Sequence, residues 1–228
     1  MELILLFVLA TAIYFCIDYN KYKNSSYRKT TGYSYFKARF DRGFYGEYLS
    51  YEILNKLPGN KRIFTNIYLP KENGETTEID MVMLHERGIF VIESKNYSGW
   101  IFGDEKSKYW MQSFKNGRKE RFYNPIWQNQ THIKYLMRLM GLEDKSAVKS
   151  IIAFSERCEL KKMQVYSQDI RVINRYRLAR TVKELIDNSS YSFSNIEINN
   201  WSEKLSNFVN VSEEVKRNHV ENIERFRG

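Results

Sequence analysis

The chain has 228 residues, 43% of them hydrophobic and 15% aromatic, with three Pro, eleven Gly and two Cys. That supports one compact domain with a small appendage, and it excludes a disordered, collagen-like or disulfide-stapled chain. The formal charge is +9; all 36 basic residues lie beyond residue 20 with 25 of the 27 acidic ones, so the body carries +11 and suits a polyanion, either nucleic acid or an anionic membrane face.

Residues 3–17 form an unbroken uncharged run, LILLFVLATAIYFCI. A spanning helix needs about 20 apolar residues and at least about 17, so Met1 or Tyr19 must extend the run. A cleaved secretory signal is the competing reading, and it wants a basic start and a small-residue cleavage site. The segment begins with Glu2 and passes into Asp18-Tyr19-Asn20, so it lacks both. Lys21, Lys23, Arg28 and Lys29 follow it. The charge bias predicts a single-pass anchor over residues 1–19 with the body in the cytoplasm. Cys16 in the run and Cys158 in the body are unsuited to pairing, which agrees with a reducing compartment. Residues 20–40 read as a juxtamembrane linker whose Lys and Arg can lie against anionic lipid.

Leu49, Ile53 and Leu57 recur every four residues with Gly46 on the same face, which predicts a helix over 44–57 that ends at Pro58-Gly59. Gly46 would let this helix approach a sheet closely, and Glu47 lies at the edge of its apolar face. Strands are expected at 62–68, 78–84, 88–95, 100–103 and 109–114, with Asn116-Gly117 a hairpin signal. Asn124 and Pro125 suit the cap and first position of a helix that Gly141 would stop. Further strands are expected at 148–154 and 170–173 and a short helix at 182–186. Two amphipathic helices follow over 195–227, divided near residues 210–212. The order predicts an α/β or α+β sandwich with one mixed sheet.

Residues 78–95 are the most informative. If residues 85–88 close a hairpin with Leu84 opposite Ile89, Asp80 falls opposite Glu93 and Glu78 opposite Lys95. Alternation then puts Asp80, Val82 and Leu84 on one face with Ile89, Val91, Glu93 and Lys95, and puts Ile79, Met81, Met83, Phe90 and Ile92 on the other. Two carboxylates opposed at roughly 5 Å repel. Either one is protonated or a cation lies between them. A divalent ion with hard oxygen ligands fits, Mg²⁺ by default. Lys95, roughly 7 Å along the same face, can reach a phosphate oxygen or an attacking water. A surface hairpin with solvated salt bridges is the alternative.

Residues 104–121 hold six basic and three acidic residues beside Tyr109, Trp110 and Phe114. Basic charge interleaved with aromatic rings suits a nucleic-acid contact, with Lys106, Lys108, Lys115, Arg118 and Lys119 as candidates. Lys134 and Arg138, four apart on the helix after Gln128, could track a phosphate backbone. His85, His132 and His219 are scattered without zinc spacing and read as surface or loop residues.

These motifs together resemble a known family. Gly43-Phe44-Tyr45-Gly46-Glu47, Glu78-Ile79-Asp80, residues 88–96 (GIFVIESKN), Gly99, Trp110, Asn124-Pro125 and Gln128 are similar, in order, to the nuclease-related (NERD) domain of the PD-(D/E)xK nuclease superfamily. The resemblance covers roughly residues 41–155, and Ile79 stands where the superfamily signature has Pro. It implies a restriction-endonuclease-like core, with a mixed central β-sheet flanked by helices. It also implies that Asp80, Glu93 and the Ser94 carbonyl hold Mg²⁺, with Mn²⁺ a possible substitute. Lys95 would orient the attacking water, Glu47 would reach a second metal or the surrounding shell, and Gln128 would bond the nucleophile or a phosphate. The expected organisation is an anchor at 1–19, a linker at 20–40, the nuclease-like domain at 41–175 and a helical extension at 176–228. The expected function is a membrane-anchored, cytoplasm-facing, metal-dependent nuclease acting on nucleic acid, with DNA as the expected polymer. The alternatives are an inactive nucleic-acid-binding module of the same fold and a basic scaffold for lipid or protein.

Overall fold

The computed structural model describes residues 1–227. Four helices open the chain: α1 (Glu2–Lys23), α2 (Ser26–Thr31), α3 (Tyr35–Phe40) and α4 (Arg42–Asn55). Strands β1 (Lys61–Pro70), β2 (Thr76–His85) and β3 (Gly88–Lys95) form an antiparallel meander. Strands β4 (Gly99–Asp104), β5 (Tyr109–Ser113) and β6 (Lys119–Tyr123) follow, then α5 (Pro125–Met140) and β7 (Val148–Phe154). The chain ends with β8 (Cys158–Gln164), β9 (Ile170–Asn174), α6 (Leu178–Asp187), α7 (Asn195–Ser206) and α8 (Glu213–Arg227).

The central sheet runs β1-β2-β3-β7-β9 and is mixed, because β7 lies parallel to both β3 and β9. Helices cover both faces, as the resemblance implies, but the strands divide between two sheets where the element order predicts one, because the β4–β6 strands pair with one another and with β8 instead of with the central sheet. One face packs Tyr48, Tyr51 and Leu54 of α4 and Leu178 and Val182 of α6 on Met81, Met83, Phe90 and Ile92. The other packs Ile133, Leu136 and Met140 of α5 and Ile198, Trp201 and Leu205 of α7 on Val82, Leu84, Ile89 and Val91. Burial of these apolar faces, at about 25 cal/mol per Å², is the main favourable term that holds the layers. Helix α6 thus belongs to one layer and α7 to the other, so these two helices of the helical extension expected at 176–228 pack into the core. Helices α7 and α8 do divide between residues 206 and 213, as the periodicity predicts.

A second sheet, β6-β5-β4-β8, packs Ile101 and Trp110 against Ile126, Ile152 and Phe154. The Trp110 and Phe154 rings stack at 6.2 Å. Gly103 makes room for that tryptophan, since a Cβ there would lie 2.4 Å from the indole. The sequence reading missed β8, whose alternation is obscured by Glu159, Lys161 and Lys162 on its exposed positions.

Residues 20–40 are not a linker. Helix α1 runs on to Lys23, and Tyr22, Tyr27, Tyr35 and Ala38 are buried with the α4 side of the core. Tyrosine rings make this layer: Tyr22 lies 5.3 Å from Tyr48 and 5.7 Å from Tyr35, edge to face. Ser25 and Ser34 cap α2 and α3 through their side chains. The last turns of α1 are thus fixed to the domain, while its apolar residues before Ile17 are exposed.

Candidate active site

Three elements converge where β2 and β3 separate. The hairpin register is the expected one, with Leu84 opposite Ile89, and it holds from His85–Gly88 to Met81–Ile92. Pairing stops there. Asp80 Oδ2 instead accepts a hydrogen bond from the Ser94 backbone N–H at 2.8 Å. Across β1, the partners Thr65–Met81 and Ile67–Ile79 place Asn66 opposite Asp80, and Asn66 has a left-handed φ of 52°. The kink shifts the alternation of both strands. Phe64 and Ile67 belong to one core layer, as do Val82 and Ile79. Ile79 therefore faces α5, not α4 as strict alternation predicts. Glu78 is not opposite Lys95 either. It pairs across β1 with Tyr68, whose hydroxyl donates to Glu78 Oε1 at 2.6 Å.

Glu93 is only 1% exposed. Lys95 Nζ donates to Glu93 Oε1 at 2.6 Å and to Gln128 Oε1, on the first turns of α5, at 2.9 Å. His132 Nε2 lies 3.2 Å from Glu93 Oε2, and its Nδ1 lies 2.7 Å from Thr77 Oγ1. From α4, Glu47 accepts a hydrogen bond from the Tyr27 hydroxyl at 3.3 Å. The Asn66 amide lies beside Glu47 and its nitrogen is buried without a close partner. Gly46 lets α4 come this near. A Cβ there would meet Arg175 Nη1 at 2.8 Å and Ser94 Oγ at 3.3 Å, and the same Nη1 donates to the Gly46 carbonyl.

The electrostatics follow from several carboxylates held near one ammonium. Burial, then Glu93 and Glu47, push the Asp80 carboxyl well above its ordinary range. Burial, reinforced by Glu78, raises Glu47 to about 8. Burial also acts to raise Glu93, but Lys95 and His132 outweigh it and hold that carboxyl low. Lys95 is held high because Glu93 and Asp80 outweigh its desolvation. The cluster stores negative charge that further positive charge would relieve.

A family model of the nuclease-related domain, NERD, matches residues 42–155, half of the chain. The chain belongs to the NERD family. It is also 32% identical over 180 residues to an uncharacterized protein of Bacillus anthracis, an alignment that takes in 78% of this chain and 82% of the relative. The NERD match contains Glu47, Asp80, Glu93, Ser94, Lys95, Gln128 and His132 and omits α1–α3 and α6–α8.

Within this NERD fold, Asp80, Glu93, Ser94, Lys95 and Gln128 come together, with Glu47 alongside. The basic candidates lie elsewhere on the surface. Lys106 and Lys108 occupy the β4–β5 turn, over the rings of Tyr166 and Tyr109. Lys115 and Arg118 occupy the β5–β6 turn and Lys119 opens β6; Arg118 pairs with Glu120. Lys134 and Arg138 both face Glu72 from α5, so their charge is partly matched within the chain. His132 was missed. It sits one helical turn after Gln128, a spacing that puts both on one face. All three histidines are buried rather than superficial, at 1%, 4% and 7% exposure for His85, His132 and His219.

The donor set can be tested against a divalent ion. Among the described residues no three Asp, Glu, His or Cys side chains gather closely enough to form a metal cage. Mg²⁺ does not need one, since it usually binds through one or two carboxylates and keeps several waters. Two carboxylates with crowded negative charge, one pushed toward protonation, fit that requirement.

Proposed function

We propose that this NERD chain is a metal-dependent nuclease that hydrolyses phosphodiester bonds of nucleic acid, with DNA the expected polymer, from the face of a membrane. One observation carries the reading: the Lys95 ammonium, bridged between Glu93 and Gln128, stands beside an Asp80 carboxyl that burial and like charge destabilise. Mg²⁺, or Mn²⁺ in its place, would be held by Asp80, Glu93 and the Ser94 carbonyl and would supply Lewis-acid neutralisation of the scissile phosphate. Lys95 then holds a proton at Nζ and aims it at a phosphate oxygen or the attacking water, where developing charge needs a donor. Gln128 and Glu93 fix the direction of that ammonium. Thr77 orients His132, which in turn holds the Glu93 carboxylate, and Glu47 with Asn66 lies alongside. Basic side chains at Lys106, Lys108, Lys115, Arg118 and Lys119 suit contact with the phosphate backbone.

The 22-residue α1 is long and apolar enough to cross a membrane. The Lys and Arg that follow favour a cytoplasmic body. A second reading, an inactive nucleic-acid-binding module, is favoured by the engagement of both Glu93 oxygens by Lys95 and His132.

The full chain in detergent micelles, stripped of metal, is incubated with plasmid, linear and single-stranded DNA and with RNA, with and without Mg²⁺ or Mn²⁺. Cleavage that requires metal and disappears in Asp80→Ala is the expected result. Binding without cleavage by either protein would establish the inactive module. Neither binding nor cleavage would overturn both readings.

A further inference from the structure

Two large apolar side chains outside the site lie bare on α3. Phe36 is 60% exposed and Phe40 71% exposed, and their rings stack at 6.1 Å with nearly parallel planes. Their place is fixed by Tyr35. Its ring meets Phe15 at 5.4 Å and Tyr19 at 5.3 Å, both on α1. Helix α3 thus begins level with the last turn of the apolar run, where that helix leaves the domain.

The run itself is short. Its 15 residues, 3–17, rise about 22 Å at ~1.5 Å each, against a hydrocarbon core of roughly 30 Å. Such a mismatch is met by thinning the bilayer or by drawing flanking residues inward. Asp18 would ordinarily oppose that. Here its carboxylate accepts the Tyr35 hydroxyl at 2.7 Å and pairs with Arg39 at 3.3 Å, so it is already matched within the chain. Exposed Lys37 and Arg42 neighbour Phe36 and Phe40 along the chain, exposed Lys21 and Lys23 end α1, and such cations suit anionic headgroups.

We infer that Phe36 and Phe40 form a second foot that inserts into the headgroup–acyl boundary of an anionic bilayer beside α1. This inference rests on the reading of α1 as a membrane span. The foot extends the apolar surface of a short span and sets the orientation of the domain on the bilayer. Aromatic side chains are favoured at this depth.

The test uses the full chain carrying Cys16→Ser and Cys158→Ser. A single cysteine is introduced by Phe40→Cys, by Phe7→Cys in the span or by Lys162→Cys on the exposed strand β8. Each is labelled with a fluorophore, and the protein is reconstituted into phosphatidylcholine–phosphatidylglycerol vesicles. Those vesicles carry a nitroxide either near the headgroup or deep in the acyl chain. The expected result is loss of fluorescence at position 40 with the shallow nitroxide and at position 7 with the deep one, with neither affecting position 162. Quenching at position 7 but none at position 40 would overturn the foot and leave the span intact. No quenching at positions 7 and 40 would overturn the span and the foot together.

Discussion

Burial and a neighbouring carboxylate hold Glu47 away from its ordinary charge state. Its carboxyl is raised to about 8, first by burial and then by Glu78. A carboxyl raised on folding contributes stability that is complete below its unfolded value, near 4.5, and is lost as pH rises through about 8. The metal-free protein should therefore lose up to about 1.4 kcal/mol per pH unit from this group across that window. Asp80 is also raised and adds to the same slope. Glu47→Gln should flatten the dependence without abolishing it. Urea unfolding of both proteins in micelles with chelator, between pH 5 and 8, reads this directly. Parallel curves would show that Glu47 ionises freely. The residue scale is also where sequence reasoning was strongest and where it broke. Pairing by residue number gave the hairpin register, because a short loop fixes it, and it brought Asp80 near Glu93, although the ladder ends at Met81–Ile92 and Asp80 bonds the Ser94 N–H instead of facing Glu93 directly. It failed for Glu78 and Ile79 because the left-handed Asn66 shifts both strands, and no local pattern announces a non-glycine residue in that conformation. The buried histidines were illegible for another reason. Thr77, Glu93, Thr76 and the Pro58 carbonyl, which satisfy them, lie far away in sequence.

Helix α5 carries the two side chains that hold Lys95 and Glu93, so its start must not drift. Asn124 fixes it. Its Oδ1 accepts from the Ile126 N–H at 2.9 Å, and its Nδ2 reaches the carbonyls of Asp104, Glu105 and Ser107. The residue is fully buried. Asn124→Ala removes a helix cap and the Ser107 carbonyl's side-chain donor, while Trp110 and Trp127 still donate to the Asp104 and Glu105 carbonyls, so it should cost about 1–2 kcal/mol. Chemical denaturation measures that loss, and a cost near zero would mean that α5 is positioned by its apolar face alone. This cap was visible in the sequence, because Asn-Pro before an amphipathic run has one favoured meaning. Strand β8 was not, because it is an edge strand with one parallel partner and charged residues at its exposed positions.

At the scale of the molecule, the largest departure from expectation is the segment joining α1 to the core. Tyrosine is ambiguous in a sequence, polar at its hydroxyl and apolar over its ring. Seven of them, Tyr22, Tyr27, Tyr33, Tyr35, Tyr45, Tyr48 and Tyr51, pack on the α4 side, and four of these lie where a linker was expected. The consequence is measurable. A chain beginning at residue 18 keeps Asp18 and Tyr22, whereas one beginning at residue 25 loses both. Since removing a large buried aromatic costs about 3–5 kcal/mol, the shorter chain should melt lower by several degrees. Equal melting temperatures would show that the end of α1 packs without contributing.

The continuity of α1 with its tyrosine layer also changes how the site meets its substrate. A flexible stretch of some 20 residues would let a tethered domain wander over roughly 25 Å. Joined through packed helices, it has no such slack. With α1 in a bilayer, the site is confined to a layer about one domain deep, so turnover should follow the surface density of the protein on the vesicle. Diluting the same vesicles at fixed density would then leave cleavage of membrane-adsorbed nucleic acid unchanged. Polymer free in bulk would instead be cut in proportion to vesicle concentration.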